Sequence, residues 1–64
     1  MMNSKNFKME TSSGVYSVFF GSGKTLGMIE GEFKKNVIRF SFIFPVDWSR
    51  TRVMQFIDSI DNPQ

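Results

Sequence analysis

Alternation of apolar and polar residues is clearest between Asn36 and Phe44, where Ile38, Phe40, Phe42 and Phe44 fall on every second position. This spacing predicts a β-strand with one aromatic face. Three earlier stretches are also predicted as strands, and turn residues separate them: Lys5–Thr11, Val15–Phe20 and Lys24–Phe33.

A helical pattern follows the last strand. Pro45 cannot donate to a strand ladder and ends the sheet, and Asp47 or Ser49 is the predicted N-cap. Apolar residues then recur at the i, i+3, i+4, i+7 spacing of an amphipathic helix, namely Val53, Phe56, Ile57 and Ile60. The sequence predicts an α+β fold: a four-stranded antiparallel β-meander with one C-terminal helix packed on one face. We expect one domain over residues 1–64, with flexible ends at 1–4 and 62–64.

The turns fix a predicted strand register. A two-residue loop at Lys35-Asn36 pairs Phe33 with Ile38, and it also pairs Glu32 with Arg39. The same register sets Gly27 and Gly31 beside Phe44 and Phe40, so that each glycine is covered by an aromatic ring.

The other two turns define the rest of the sheet. A two-residue loop at Ser12-Ser13 pairs Met9 with Tyr16, and a four-residue loop over 21–24 pairs Val18 with Gly27. All three turns then agree on one inner face, which carries Phe7, Met9, Tyr16, Val18, Phe20, Ile29, Phe33, Ile38, Phe40, Phe42 and Phe44.

The opposite face of the predicted sheet is apolar in part. Phe19, Leu26, Met28 and Ile43 are expected to be contiguous there, on the side that the helix does not cover. Such a patch on a small protein is typical of an interaction surface. Packing against a second copy is the alternative, because a chain of 64 residues can bury only about 60% of the surface that its unfolded form exposes.

Composition narrows the chemistry. The chain has no Cys and no His, so disulfides, thiolate or imidazole metal sites and an imidazole base are excluded. No carboxylate pair lies at catalytic spacing from a hydroxyl or Lys, so we expect no enzyme, no metal and no cofactor. Gly21-Ser22-Gly23-Lys24-Thr25 lacks the first glycine and the following helix of a phosphate-binding loop. Without a long apolar run, the chain is expected to be cytoplasmic, with no membrane partner.

Several basic residues are candidates for contact with phosphates, although the net charge is only +2. Arg50 and Arg52 fall in the first turns of the predicted helix, where cations together with the helix N-terminus favour an anion. Lys34 and Lys35 lie on a turn. Phe19 is the aromatic residue available to stack on an unpaired base.

Part of the chain resembles the single-stranded-DNA-binding transcriptional coactivator family typified by positive cofactor four, and more distantly the purine-rich-element-binding repeat. The similar residues are Gly23-Lys24, Leu26, Ile29-Glu30, Gly31-Glu32, Trp48-Ser49, Ile57 and Ile60-Asp61. The resemblance implies a dimer whose strands and basic loops cradle single-stranded DNA, and it implicates Lys24, Lys34, Lys35 and Arg39. The short loop before the last strand, and Glu30 and Glu32, depart from that pattern.

Two functions follow as hypotheses. The first is a non-enzymatic regulator that binds nucleic acid, prefers single strands and acts as a homodimer, through Lys24, Lys34, Lys35, Arg39, Arg50, Arg52 and Phe19. The second is a small protein-interaction module or inhibitor, of the kind found in phages and plasmids, which docks through Phe19, Leu26, Met28 and Ile43. A three-stranded sheet with a helix, as in small phage or plasmid regulators, remains an alternative fold.

Overall fold

The computed structural model describes residues 6–22 and 25–62. Strands β1 (Phe7–Glu10), β2 (Gly14–Phe19), β3 (Gly27–Phe33) and β4 (Ile38–Phe44) form one antiparallel sheet in the order of the chain, and helix α1 (Arg50–Asp61) follows. The predicted α+β class is confirmed. The predicted strand starts at Lys5 and Lys24, and most of the two predicted flexible ends, lie outside the described residues.

Two of the three predicted registers are confirmed. Met9 pairs with Tyr16 across β1 and β2, and Phe33 pairs with Ile38 across β3 and β4. The loop between β3 and β4 is longer than predicted, because its four residues, 34–37, lie between the last paired positions. Both loop lengths give the same register. Among the non-glycine residues that the structure describes, Val37 in this loop has a positive φ, at 55°.

The predicted register of β2 against β3 is wrong by two residues. Val18 pairs with Ile29 instead of Gly27, and Tyr16 pairs with Gly31. The connection between the strands is longer than the four residues assumed, since β2 ends at Phe19 and β3 starts at Gly27. A shift of two keeps every side chain on its predicted face. It does change which residues are neighbours on the outer face.

The core lies between the inner face of the sheet and α1. Its fully buried side chains come from three strands and the helix: Tyr16, Val18, Ile29, Phe44, Val53 and Ile57. Partly buried apolar side chains surround them, including Phe40 and Phe42. Ile38, predicted for this core, is 53% exposed, because it lies at the loop end of an edge strand.

Helix α1 is capped and anchored by the residues just before it. The Ser49 hydroxyl accepts a hydrogen bond from the backbone N–H of Arg52, which confirms Ser49 as the N-cap. Trp48 stacks on Phe44, with 5.7 Å between ring centroids, and Phe56 stacks on Phe42 at 4.4 Å. These ring contacts hold α1 against β4. Over residues 6–22 and 25–62, no helix has the length and apolar character needed to cross a membrane.

Candidate interaction surface

The outer face of the sheet is the side opposite α1, and its side chains form cross-strand rows. The first row is apolar and joins Phe19, Met28 and Ile43 across β2, β3 and β4. The second row is polar: Lys8, Ser17, Glu30 and Ser41. The third row is Glu10, Val15, Glu32 and Arg39. We refer to Phe19, Leu26, Met28 and Ile43 as the apolar patch.

The apolar patch is open to solvent. Phe19 is 42% exposed, Leu26 54% and Ile43 52%, and Met28 between them is half-buried. Leu26 directly precedes β3, two positions before Met28, and alternation places it on the same face as that residue. The patch therefore offers large apolar side chains on a rigid sheet, as binding surfaces of small domains do.

The observed register changes the arrangement of this face and leaves its members unchanged. The predicted pairing of Val18 with Gly27 would set Leu26 beside Phe19, whereas Met28 lies there in the structure. The two-residue shift places Phe19, Met28 and Ile43 directly side by side. The sequence thus identified the members of the patch but not their arrangement.

Charge on the outer face is mixed. The second and third rows contain three carboxylates, Glu10, Glu30 and Glu32, and two cations, Lys8 and Arg39. Arg39 faces Glu32, as predicted. Lys34 adds a third cation at the rim, so positive and negative side chains are equal in number here.

Lys34 is engaged by the rim of this face. Its Nζ donates to a carboxylate oxygen of Glu10 at 2.8 Å, and both side chains are exposed. This hydrogen bond, with the positive charge of Lys34, holds the pKa of the Glu10 carboxyl below its usual value. The pair connects the loop between β3 and β4 to the end of β1. β1 and β4 are the two edge strands of the sheet.

Arg50 and Arg52 lie at the start of α1, as predicted, but each guanidinium stacks on an aromatic ring. Arg50 lies 4.2 Å from the centroid of Phe7, and Arg52 lies 4.6 Å from that of Trp48. These contacts are cation–π interactions. They explain the placement of cations at a helix N-terminus, which the helix dipole disfavours.

The predicted nucleic-acid residues do not form one cluster. Lys34 and Lys35 lie at the loop end of β3 and β4, whereas Arg50 and Arg52 lie at the start of α1. The C-terminal end of α1 lies near that loop. Asp61 at this end accepts a hydrogen bond from the hydroxyl of Tyr16, and Tyr16 pairs with Gly31 close to the end of β3. The helix, about 18 Å long, therefore separates the two pairs of cations. Lys24 lies outside the described residues.

A partly buried hydrogen-bond network, which the sequence did not indicate, lies at the end of α1. The hydroxyl groups of Tyr16 and Thr11 both donate to the same carboxylate oxygen of Asp61, with 2.7 Å for Thr11. Burial of the phenol is the main reason why the pKa of Tyr16 rises to about 12, and the hydrogen bond and negative charge of Asp61 raise it further. The network fastens the helix to the first hairpin.

Among residues 6–22 and 25–62, no group of three acidic side chains is placed to hold a metal ion. Comparison with protein-family models, with curated proteins and with solved structures finds no match to this chain. The resemblance to the single-strand-binding coactivator family stays a prediction. The described geometry of the chain therefore has to carry the functional argument by itself.

Proposed function

We propose that this chain is a non-enzymatic protein-interaction module that docks a partner protein through the apolar patch. The carrying observation is the exposed row of Phe19, Met28 and Ile43, extended by Leu26, on the sheet face that α1 leaves open. A flat face with large apolar side chains gains free energy when a matching surface removes it from water.

The surroundings of the patch indicate the chemistry of the partner. Glu30 and Glu32 follow the patch along β3, and Glu10 lies on the same face at β1. A complementary surface has an apolar centre with Lys or Arg at its rim, since opposite charges steer association and oppose wrong partners. Glu30, which lies in the row next to the patch, favours a basic side chain of a partner protein over a phosphate.

The test compares glutamate substitutions at two methionines, the half-buried Met28 and the exposed Met54. Met28→Glu places a charge in the centre of the patch, and Met54→Glu places the same charge on α1, where Met54 is 42% exposed. Each immobilised variant and the wild type are incubated with an extract of the native cells, and the retained proteins are quantified by mass spectrometry. One retained protein is then purified for affinity measurement.

We expect the partner to be retained by the wild type and by Met54→Glu but to be lost with Met28→Glu. Its dissociation constant should rise at least about tenfold with Met28→Glu, because a charge in an apolar contact centre removes the burial that drives binding. Equal affinity for all three forms would contradict the proposal. A homodimer that only Met28→Glu dissociates would assign the patch to self-association and also contradict it.

Binding of single-stranded nucleic acid is the second candidate. The observation that favours it is Phe19, an exposed aromatic ring on an open sheet face, because unpaired bases stack on such rings. Lys8 lies on the neighbouring strand, opposite Ser17 and thus two positions from Phe19. Lys35 on the loop, with Arg39 on β4, would add further phosphate contacts.

A further inference from the structure

The two edges of the sheet differ in how well they are protected. β1 has four residues, two of which, Lys8 and Glu10, are charged. β4 has seven residues, with Arg39 as its one charged residue, and it pairs without a bulge along its whole length. Short length, charges and bulges are the features by which proteins prevent an edge strand from pairing with another chain. β4 has little of this protection.

Exposed apolar side chains concentrate beside β4. Seven large apolar side chains are exposed among the described residues, and four of them lie in β4 or within two residues of it: Val37, Ile38, Ile43 and Val46. Ile38 belongs to the inner face of the sheet and Ile43 to the outer face. Both faces of this edge therefore present apolar surface to solvent.

From these observations we infer that β4 pairs antiparallel with β4 of a second copy of this chain, so that two four-stranded sheets become one sheet of eight strands. In the part of the chain that the structure describes, β4 has a neighbouring strand on one side only. Pairing satisfies the backbone N–H and C=O groups on its other side. It also brings side chains of the second copy beside Ile38 and Ile43.

The strand is self-complementary about its centre, Ser41. A two-fold axis between the two Ser41 residues pairs Phe40 with Phe42 of the second copy, and Ile38 with Phe44. Arg39 lies opposite Ile43 of the second copy, so no like charges meet. Val37 at one end and Val46 of the second copy come close together, because the strands run in opposite directions.

The assembly ends at two copies. Each chain contributes β4 once, and the outermost strands of the eight-stranded sheet are the short, charged β1 strands. The two-fold axis is perpendicular to the sheet, so the two apolar patches lie on the same side and both helices lie on the other. The dimer thus presents two docking surfaces in one plane, which goes beyond the binding of a single partner.

The test uses charges at the two-fold axis. Ser41→Lys places two lysines opposite each other in the dimer. In the single chain the new lysine faces Glu30 on β3, and this opposite-charge pair favours the fold. Ser17→Lys is the matched control, because Ser17 lies in the same row and also faces Glu30, but on β2, away from the edge. Circular dichroism verifies the fold, and molar mass is measured by light scattering over a range of concentrations.

We expect the wild type and Ser17→Lys to reach twice the 7.4 kDa chain mass, and Ser41→Lys to weaken the dimer at least about tenfold. A mixture of Ser41→Lys with Ser41→Glu should regain the dimer, since opposite charges then meet at the axis. A wild type that stays monomeric, or equal dimerisation of Ser41→Lys and wild type, would overturn the inference. Equal loss in Ser17→Lys would also overturn it, because it would place the interface on the outer face.

Discussion

Tyr16 connects the sheet to helix α1. Its ring is fully buried and its hydroxyl donates to Asp61 at the last residue of α1. A carboxylate at a helix C-terminus is unfavourable for the helix dipole. The two hydroxyl donors, Tyr16 and Thr11, offset this cost, because hydrogen bonds to a charged group contribute about 1.5–3 kcal/mol.

The pKa of Tyr16 gives a direct test of this network. In the folded chain we expect the phenol to titrate near pH 12, and in urea near the ordinary value of about 10. Because the unfolded chain loses this proton first, the contribution of Tyr16 to stability is complete below about pH 10 and is lost as the pH rises toward 12. Tyrosinate absorbance reports the titration cleanly, since the chain contains one tyrosine.

Asp61→Asn separates the two causes of this shift. The substitution removes the negative charge beside the phenol, so the pKa of Tyr16 should fall. It should stay above the urea value, because burial is the largest cause. A native midpoint equal to the urea midpoint in the wild type would show that the phenol is not held in this buried bond.

This network also marks a limit of sequence reasoning at the level of single residues. Alternation correctly places Tyr16 on the inner face, but no pattern in the sequence links its hydroxyl to Asp61. The two residues are 45 positions apart. Alternation fixes the face on which a side chain lies, but it does not reveal which distant carboxylate meets its hydroxyl.

At the scale of elements, the glycines of β3 determine how the sheet packs. A Cβ added to Gly31 would lie 2.4 Å from the ring of Phe40 on β4 and 2.9 Å from that of Tyr16 on β2. Gly27 is covered in the same way, with the ring of Phe44 at 2.2 Å. The flanking aromatic rings therefore occupy the space where β3 has no side chains.

Gly31→Ala should lower the free energy of unfolding by about 1–3 kcal/mol, because the new methyl group overlaps the rings of Phe40 and Tyr16. Urea denaturation measures the change. Adding Phe40→Leu makes room for the methyl group, so the double variant should be destabilised by less than the sum of the single effects. Strict additivity would show that the contact with Phe40 is not the cause.

These glycines also explain which registers were predictable. Gly27 and Gly31 of β3 match Phe44 and Phe40 of β4 at the same spacing, and a short turn joins the strands, so one register satisfied every position. On its other side, Gly31 faces Tyr16 of β2. In the register shifted by two, Gly27 faces Val18 instead, and every side chain stays on the same face, so the sequence pattern fits both registers equally well. The connection from β2 to β3 contains no residue pattern that fixes its length, and the choice between the two registers was therefore wrong.

At the scale of the whole molecule, charge is spread and not concentrated. Lys34 is paired with Glu10, Arg50 and Arg52 stack on rings near the start of α1, and the longest dimension is 35 Å. The positions of these cations follow from contacts between distant segments. The sequence correctly identified each residue as exposed and basic, but the ring or carboxylate that engages it depends on the fold.

The candidate binding of single strands can be tested at this scale. A labelled oligonucleotide is titrated at several salt concentrations against wild type, Lys35→Gln and Lys8→Gln. If phosphates are bound at this site, affinity falls with salt, and Lys35→Gln and Lys8→Gln each reduce the slope by about one. Absence of binding at low salt would eliminate this candidate and leave the protein-interaction proposal in place.

The position of Val53, Ile57 and Asp61 has a consequence for synthesis in the cell. The aromatic face of the sheet is complete once Phe44 has been made, but the side chains that cover it and the carboxylate that accepts the Tyr16 hydrogen bond all come from α1. Until α1 leaves the ribosome, the nascent chain exposes an uncovered aromatic surface and an unprotected β4 edge. The sheet can therefore gain the cover that α1 provides only after this helix has emerged.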